Sequence, residues 1–314
     1  MTEAAISFKD RPIVAGSTLA LPDRHGSAGA GRSAAGDVWF ADLAKLRRSG
    51  FEAVDLVDTW LSPAELGSGE LAQLRDIIDG LGLTLTGISV IRKSIIDPGD
   101  GAANLEHTRA SIDAAAALGA PLVCIGFHRP LTDAQSGQWP FWSVDGPGDK
   151  RDAAVWQLAV TRLRDVCLYA AERGIEVSLE LYEQTLLGSG ADAARLVADV
   201  GAPNLGLNPD LANLYREPRE LGETWQETLR RSLPHMNYWH VKNFRRAPVW
   251  PAGPFVTFPT TMADGDIDYA EAFRMAASAG YSGPICIEHY GGDRVWEQRS
   301  ALRYVTWLLD EMEA

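Results

Sequence analysis

Four short apolar runs each end on a side chain that can hold a metal ion: 177–183 carries Glu180, 205–210 carries Asp210, 238–242 carries His240, and 285–288 carries Glu288. Their β-branched, aromatic and leucine content reads as buried strand. A strand of a closed barrel turns alternate side chains inward, so Ser178, Glu180 and Tyr182 share one face. A carboxylate there needs an ion or a charged partner to balance it. Three carboxylates and one imidazole form a mixed hard and borderline donor set for one divalent ion, Mn2+ first, with Mg2+, Co2+, Fe2+ or Zn2+ as competitors. Taken singly, each residue reads equally well as a buried ion pair or a helix cap. Four at the ends of successive strands favour the ion.

Such side chains meet only if neighbouring strands bring them together. Short β-rich runs alternate with longer amphipathic ones, the pattern of βα units and a parallel sheet. Strands are expected at 13–20, 51–60, 83–91, 121–127, 177–183, 205–210, 236–243 and 283–290, with helices at 37–48, 63–80, 104–118, 152–172, 191–200, 220–233, 269–279 and 295–312. Asp37 reads as the cap of the first helix and Gly50 as its stop, after a Gly/Ala/Ser-rich loop at 26–36 that reads as mobile. Eight units in one direction close more readily than they stay open. The expected fold is therefore α/β, a (β/α)8 TIM barrel forming a single domain over 1–314. Chemistry in such barrels sits at the C-terminal strand ends, where the four ligands fall, on strands five to eight. Long loops follow strand four (128–150, with Trp139, Phe141 and Trp142) and strand seven (244–266, with Trp250, Phe255 and Phe258).

Composition narrows the partners. A formal charge of -13 over 314 residues repels nucleic acid and anionic lipid. Cys124, Cys167 and Cys286 are scattered in apolar runs and read as reduced core thiols. The chain opens without a basic stretch followed by an apolar one and holds no run long enough to span a bilayer, so a cytoplasmic location is expected.

The runs Leu179-Glu180, Asn208-Pro209-Asp210-Leu211-Ala212-Asn213, His240-Val241-Lys242-Asn243 and Ile287-Glu288 resemble the strand-end motifs of the xylose isomerase-like barrel superfamily. That superfamily includes sugar epimerases and isomerases, inosose dehydratase and endonuclease IV. The resemblance covers essentially the whole chain and implies one divalent ion held by Glu180, Asp210, His240 and Glu288. The extra histidines of the endonuclease's three-metal site are not evident. A further similarity, carried by 236–243 and 288–293, is to the catalytic subunit of bacterial C-glycoside deglycosidases, which act on 3-oxo-glycosides. It implies an oligomer that includes a small β-rich partner subunit.

An ion bound to a ketone and its neighbouring hydroxyl acidifies the carbon beside them, and a base must take the proton. The resemblance makes Glu180 and Glu288 the acid/base pair; His128, just after strand four, is a second candidate base or a loop histidine bonded to backbone. Lys242 shares the inward face of His240 and reads as an oxyanion or leaving-group partner, or as the counter-ion of a ligand carboxylate. Trp60, Trp139, Trp142 and Trp250 lie at or beyond strand ends, where a flat ligand group could stack, or where they could pack the loops. Arg92, Arg294, Asn208 and Tyr290 are further candidates for substrate contact. Asp293, beside the Gly291-Gly292 pair, would repel a phosphate there, so an unphosphorylated substrate is expected. The leading reading is a lyase that removes the proton beside the ketone of a 3-keto-glycoside and expels the aglycone. The alternative is a keto-sugar epimerase or aldose-ketose isomerase with the same ligands. A non-catalytic sugar-binding subunit is the third.

Overall fold

Apolar runs of three to six residues become parallel strands because only a helix-covered barrel buries both of their faces. The computed structural model describes residues 7–25, 32–249 and 255–313. In chain order the barrel strands are β1 (Val14–Ser17), β2 (Ala53–Val57), β3 (Thr84–Ser89), β4 (Leu122–Ile125), β5 (Glu176–Glu180), β6 (Leu205–Asn208), β7 (Trp239–Val241) and, after a hairpin of β8 (Asn243–Pro248) and β9 (Phe255–Thr260), β10 (Ile285–Ile287). They pair in the order β6-β5-β4-β3-β2-β1-β10-β7, all parallel, as expected for a (β/α)8 barrel. The seam between β6 and β7 closes with less backbone pairing. Leu207 bridges Met236, and the Asn208 side chain accepts the His240 amide at 2.7 Å.

The helices are α1 (Arg32–Arg48), α2 (Ser68–Gly80), α3 (Gly101–Leu118), α4 (Asp133–Ser136), α5 (Ala153–Ala171), α6 (Gly190–Val200), α7 (Leu211–Tyr215), α8 (Trp225–Ser232), α9 (Tyr269–Ser278) and α10 (Arg294–Glu313). Side chains start several of them: Asp152 accepts from the Val155 amide, and Thr224 with Glu227 forms a capping box. Gly119, at φ 75°, turns the chain out of α3, a conformation open to glycine at no steric cost. Apolar helix faces and outer strand faces make the main core. Inside the barrel Ala15, Ala53, Leu122, Cys124, Tyr238 and Cys286 form a second cluster.

Three expectations change. Helix α1 begins at Arg32, so 32–36 is helix and Asp37 is no cap; Ala34 and Ala35 favour helix enough to absorb Gly36. The rest of that loop, 26–31, lies outside the described residues, as does Trp250. The segment after β7 is an antiparallel hairpin rather than an irregular loop. The loop after β4 contains α4 and a 3-10 turn at Phe141–Ser143. Among the described residues no helix is long and apolar enough to cross a membrane.

Candidate metal centre

Neighbouring strand ends place the four expected ligands around one point. Glu180 is the last residue of β5, His240 the middle of β7, and Glu288 follows β10 directly; Asp210 stands two residues past β6 and caps α7 through the Asn213 amide. One ligand atom from each lies within 4.8 Å of all the others, and all four side chains are buried. Donors about 2.1 Å from a shared ion are at most roughly 4.2 Å apart, so a small closure accommodates a divalent metal. The His240 Nδ1 lies 3.6 Å from Glu180 Oε1 and 3.4 Å from Glu288 Oε1, with no hydrogen-bond partner of its own. An orphaned imidazole nitrogen facing two carboxylates fits a metal ligand.

Two side chains hold the carboxylates in place. Asn213 donates from Nδ2 to Glu180 Oε1 at 2.8 Å. Lys242 pairs through Nζ with Asp210 and, at 2.7 Å, with Glu288 Oε2. Burial would lower the lysine, yet Asp210 and Glu288 hold its ammonium well above its usual range. Of its two readings, the counter-ion is the one this geometry shows. Glu180 is pushed up by burial, but the neighbouring His240, with the charges of His128 and Lys242, more than reverses this and keeps it ionised, below the usual carboxylate range.

Burial also lowers His240, and the charges of Glu288 and Glu180 overcome it, raising the imidazole to about 9 in the metal-free pocket. A metal must therefore displace that proton. Affinity for Mn2+ or Mg2+ is expected to weaken about tenfold for each pH unit below about 9, and more steeply near 7, where Asp210, pushed up by burial to about 7, also takes a proton. Calorimetric titration at several pH values between about 6.5 and 8.5 checks this, and a flat affinity would contradict it.

On the inner side of His240 lies a carboxylate that the sequence reading missed. Atoms of Asp55, His240 and Cys286 fall within 4.8 Å of one another. Asp55 Oδ1 accepts from the Tyr238 hydroxyl at 2.9 Å, which also meets Thr86 Oγ1 at 3.0 Å. Burial, opposed by His240, pushes Asp55 up to about 6. The signal was a lone acid in the apolar strand β2, the same one that exposed Glu180.

The remaining candidates divide. His128 is buried and stacked on Tyr182, with ring centroids 4.5 Å apart, and neither of its nitrogens has a partner. Burial pushes it down to about 4, so it stands neutral near Glu180. Gly126 makes room for it: a Cβ there would come 2.5 Å from His128 Nδ1. Tyr290 lies beside the centre, its ring 5.5 Å from Lys242 Nζ. Arg92 faces the same pocket and donates to the Arg129 carbonyl at 3.1 Å and the Tyr182 hydroxyl at 3.4 Å.

Others are occupied elsewhere. Trp60 is sealed in the core with its indole N–H on Asp42 at 3.2 Å, so it packs the fold and offers no face to a ligand. Trp142 is also buried, donates to Thr257 Oγ1 at 2.8 Å, and shows the pocket only part of its surface. Asn208 is spent as the β6–β7 clip, with its Nδ2 directed at Cys124 Sγ, which corrects its reading as a substrate contact. Arg294 donates to the Leu19 carbonyl at 2.8 Å.

Comparison with known proteins follows the same lines. The family described as xylose isomerase-like TIM barrel matches residues 43–308. The chain belongs to this family. A xylose isomerase-like TIM barrel protein from Mycobacterium smegmatis, solved in complex with magnesium, superposes with a TM-score of 0.88 at 34% identity, covering 96% of this chain and 98% of that one. The L-ribulose 3-epimerase of Methylomonas sp. (strain DH-1) is 23% identical over 258 residues, 81% of this chain and 79% of its own. The ketose 3-epimerase of Arthrobacter globiformis is 23% identical over 256 residues, 80% and 77% of the two chains. A 3-keto-D-glucoside 4-epimerase from E. coli shares the fold, with a TM-score of 0.67 at 12% identity, covering 95% of this chain and all (100%) of that one.

Proposed function

We propose that this family member is a divalent-metal-dependent keto-sugar epimerase. The observation that carries the reading is the pair of carboxylates, Glu180 and Glu288, that flank His240 Nδ1 at 3.6 and 3.4 Å. When bound, a divalent ion such as Mn2+ polarises a ketone and its neighbouring hydroxyl, acidifying the carbon between them. Glu180, held ionised and oriented by Asn213, takes the proton from one face of that carbon. Glu288 returns a proton to the other face, its second oxygen kept in place by Lys242. His128, neutral and with both nitrogens open, orients a substrate hydroxyl. Buried walls keep bulk water from quenching the carbanionic carbon.

The elimination reading shares the first step and differs in the second. It asked for aromatic faces around an aglycone; Trp60 and Trp142 are packed and hydrogen-bonded instead, and Trp139 alone of the described three is exposed, edge-on to Trp142. The test is incubation of metal-loaded protein in D2O with L-ribulose, D-allulose and a 3-keto-D-glucoside. One deuterium at the carbon beside the ketone, on the inverted centre, is the expected result. Release of aglycone from the glucoside would restore elimination, and no exchange in any substrate would overturn both.

A further inference from the structure

Beyond the metal centre, His128 and Tyr182 also wall a small cavity shared with Arg92, Trp142 and Gln184. Its volume of about 30 Å3 is too small for a sugar ring or an aglycone. A water needs roughly 10–15 Å3, so there is room for one group of about three heavy atoms. The backbone around it is unusual. Among the described residues, the non-glycine positions in the left-handed region are Arg92 (φ 57°) and Gln184 (φ 61°), and both line this cavity. Such conformations persist where the surrounding structure holds a side chain for a purpose.

Charge then narrows the ligand. Lys242 has Asp210 and Glu288, Arg216 has Glu183, and Arg129 has Asp149 and Asp97. Arg92, half-buried, donates to the Arg129 carbonyl and the Tyr182 hydroxyl and lies 4.9 Å over the Phe141 ring, with no carboxylate within salt-bridge distance among the described residues. Opposite it stands His128, buried with two unpartnered nitrogens. The metal centre is already balanced, since three carboxylates face one lysine and would face one divalent ion. Glu183 and Arg129 line the cavity too, each already paired, which leaves the Arg92 guanidinium as the lining charge that no carboxylate matches among the described residues.

We propose that this cavity seats a carboxylate at the end of the substrate remote from the metal, so that the protein prefers keto-sugar acids to neutral ketoses. Arg92 meets the carboxylate through the N–H groups that face the cavity, and His128 bonds either its second oxygen or the adjacent hydroxyl. A hydroxymethyl group fits the same volume but leaves the guanidinium unmatched. The proposal rests on the keto-sugar reading for its ligand class, yet its test reads binding rather than turnover.

The experiment compares D-fructuronate with D-fructose, two ketoses that differ only in the terminal group, by calorimetric titration of the metal-loaded protein. Wild type is expected to bind the acid at least about tenfold tighter, the range of one charge-assisted contact. Arg92→Asn keeps a residue that tolerates the left-handed backbone and removes the charge; it should bring the two ligands within about threefold. Arg92→Lys should recover part of the preference. Equal affinities in wild type, or a preference that survives in Arg92→Asn, would overturn the proposal. Lost deuterium exchange with a persisting acid preference would instead sink the epimerase reading alone.

Discussion

Glu180→Gln and Glu288→Gln are each expected to lower epimerisation at least about a thousandfold, the upper range for removal of a general acid or base. Glutamine keeps the shape and one ligand oxygen, so the fold survives and metal content can be measured beside turnover. The two variants should also differ from each other. With carboxylates working from opposite faces, each single variant keeps washout of the proton on the side of its remaining glutamate while inversion stops. Hydrogen washout from each epimer, followed by NMR, separates the two faces. Inversion within tenfold of wild type, in a variant that retains its metal, would remove that glutamate from the chemistry.

The second large effect concerns stability rather than turnover. Arg216→Met is expected to destabilise the fold by roughly 3–5 kcal/mol, because it strands a buried carboxylate. Arg216 is fully buried and holds Glu183 in a fork, Nε to Oε1 at 2.9 Å and Nη2 to Oε2 at 3.0 Å. Its guanidinium lies about 5 Å from the rings of Phe141, Trp142, Tyr182 and Tyr290. Its carbonyl accepts from the Thr257 hydroxyl at 2.6 Å, which in turn receives the Trp142 indole. One residue thus ties the loops after β4, β5, β6 and β10 to the hairpin. Burial already pushes Glu183 up despite Arg216, and without the arginine it rises further. A carboxylate whose folded pKa is raised binds protons more readily in the native state, so stability falls as pH rises through that value. Arg216→Met should therefore regain stability towards acid, and Arg216→Met combined with Glu183→Leu should recover most of the loss. Denaturant midpoints at about pH 5 and 8 test both; a loss under about 1 kcal/mol would mean the pair adds nothing the aromatic rings do not already provide.

The hairpin shows why some elements escape a linear reading. Residues 243–248 and 255–260 carry prolines and arginines that look like loop, and they pair as β8 and β9, with Asn243 and Arg246 of β8 bonded to the Met262, Ile267 and Tyr215 carbonyls. Helix α7 spans Leu211–Tyr215, too short for any hydrophobic period to register. It starts at Asp210, whose carboxylate serves as cap and candidate ligand at once.

The sequence by itself determined the barrel and singled out the candidate quartet of Glu180, Asp210, His240 and Glu288. Alternating β-rich and amphipathic runs leave few ways to bury two-faced apolar strands, and a lone acid or imidazole at the end of such a strand has one compensated environment open to it. Tertiary structure decided the partners. Whether Trp60, Trp142 and Asn208 face a ligand or each other's scaffold depends on contacts made across 18 to 115 residues, at Asp42, Thr257 and His240. Arg216 and Glu183 are 33 residues apart, and Arg92 lies 90 from Tyr182. No local period or propensity encodes such meetings. Each polar or aromatic group takes whichever partner the closed barrel brings within about 3 Å, and closure gives Arg92 a carbonyl and a hydroxyl rather than a carboxylate.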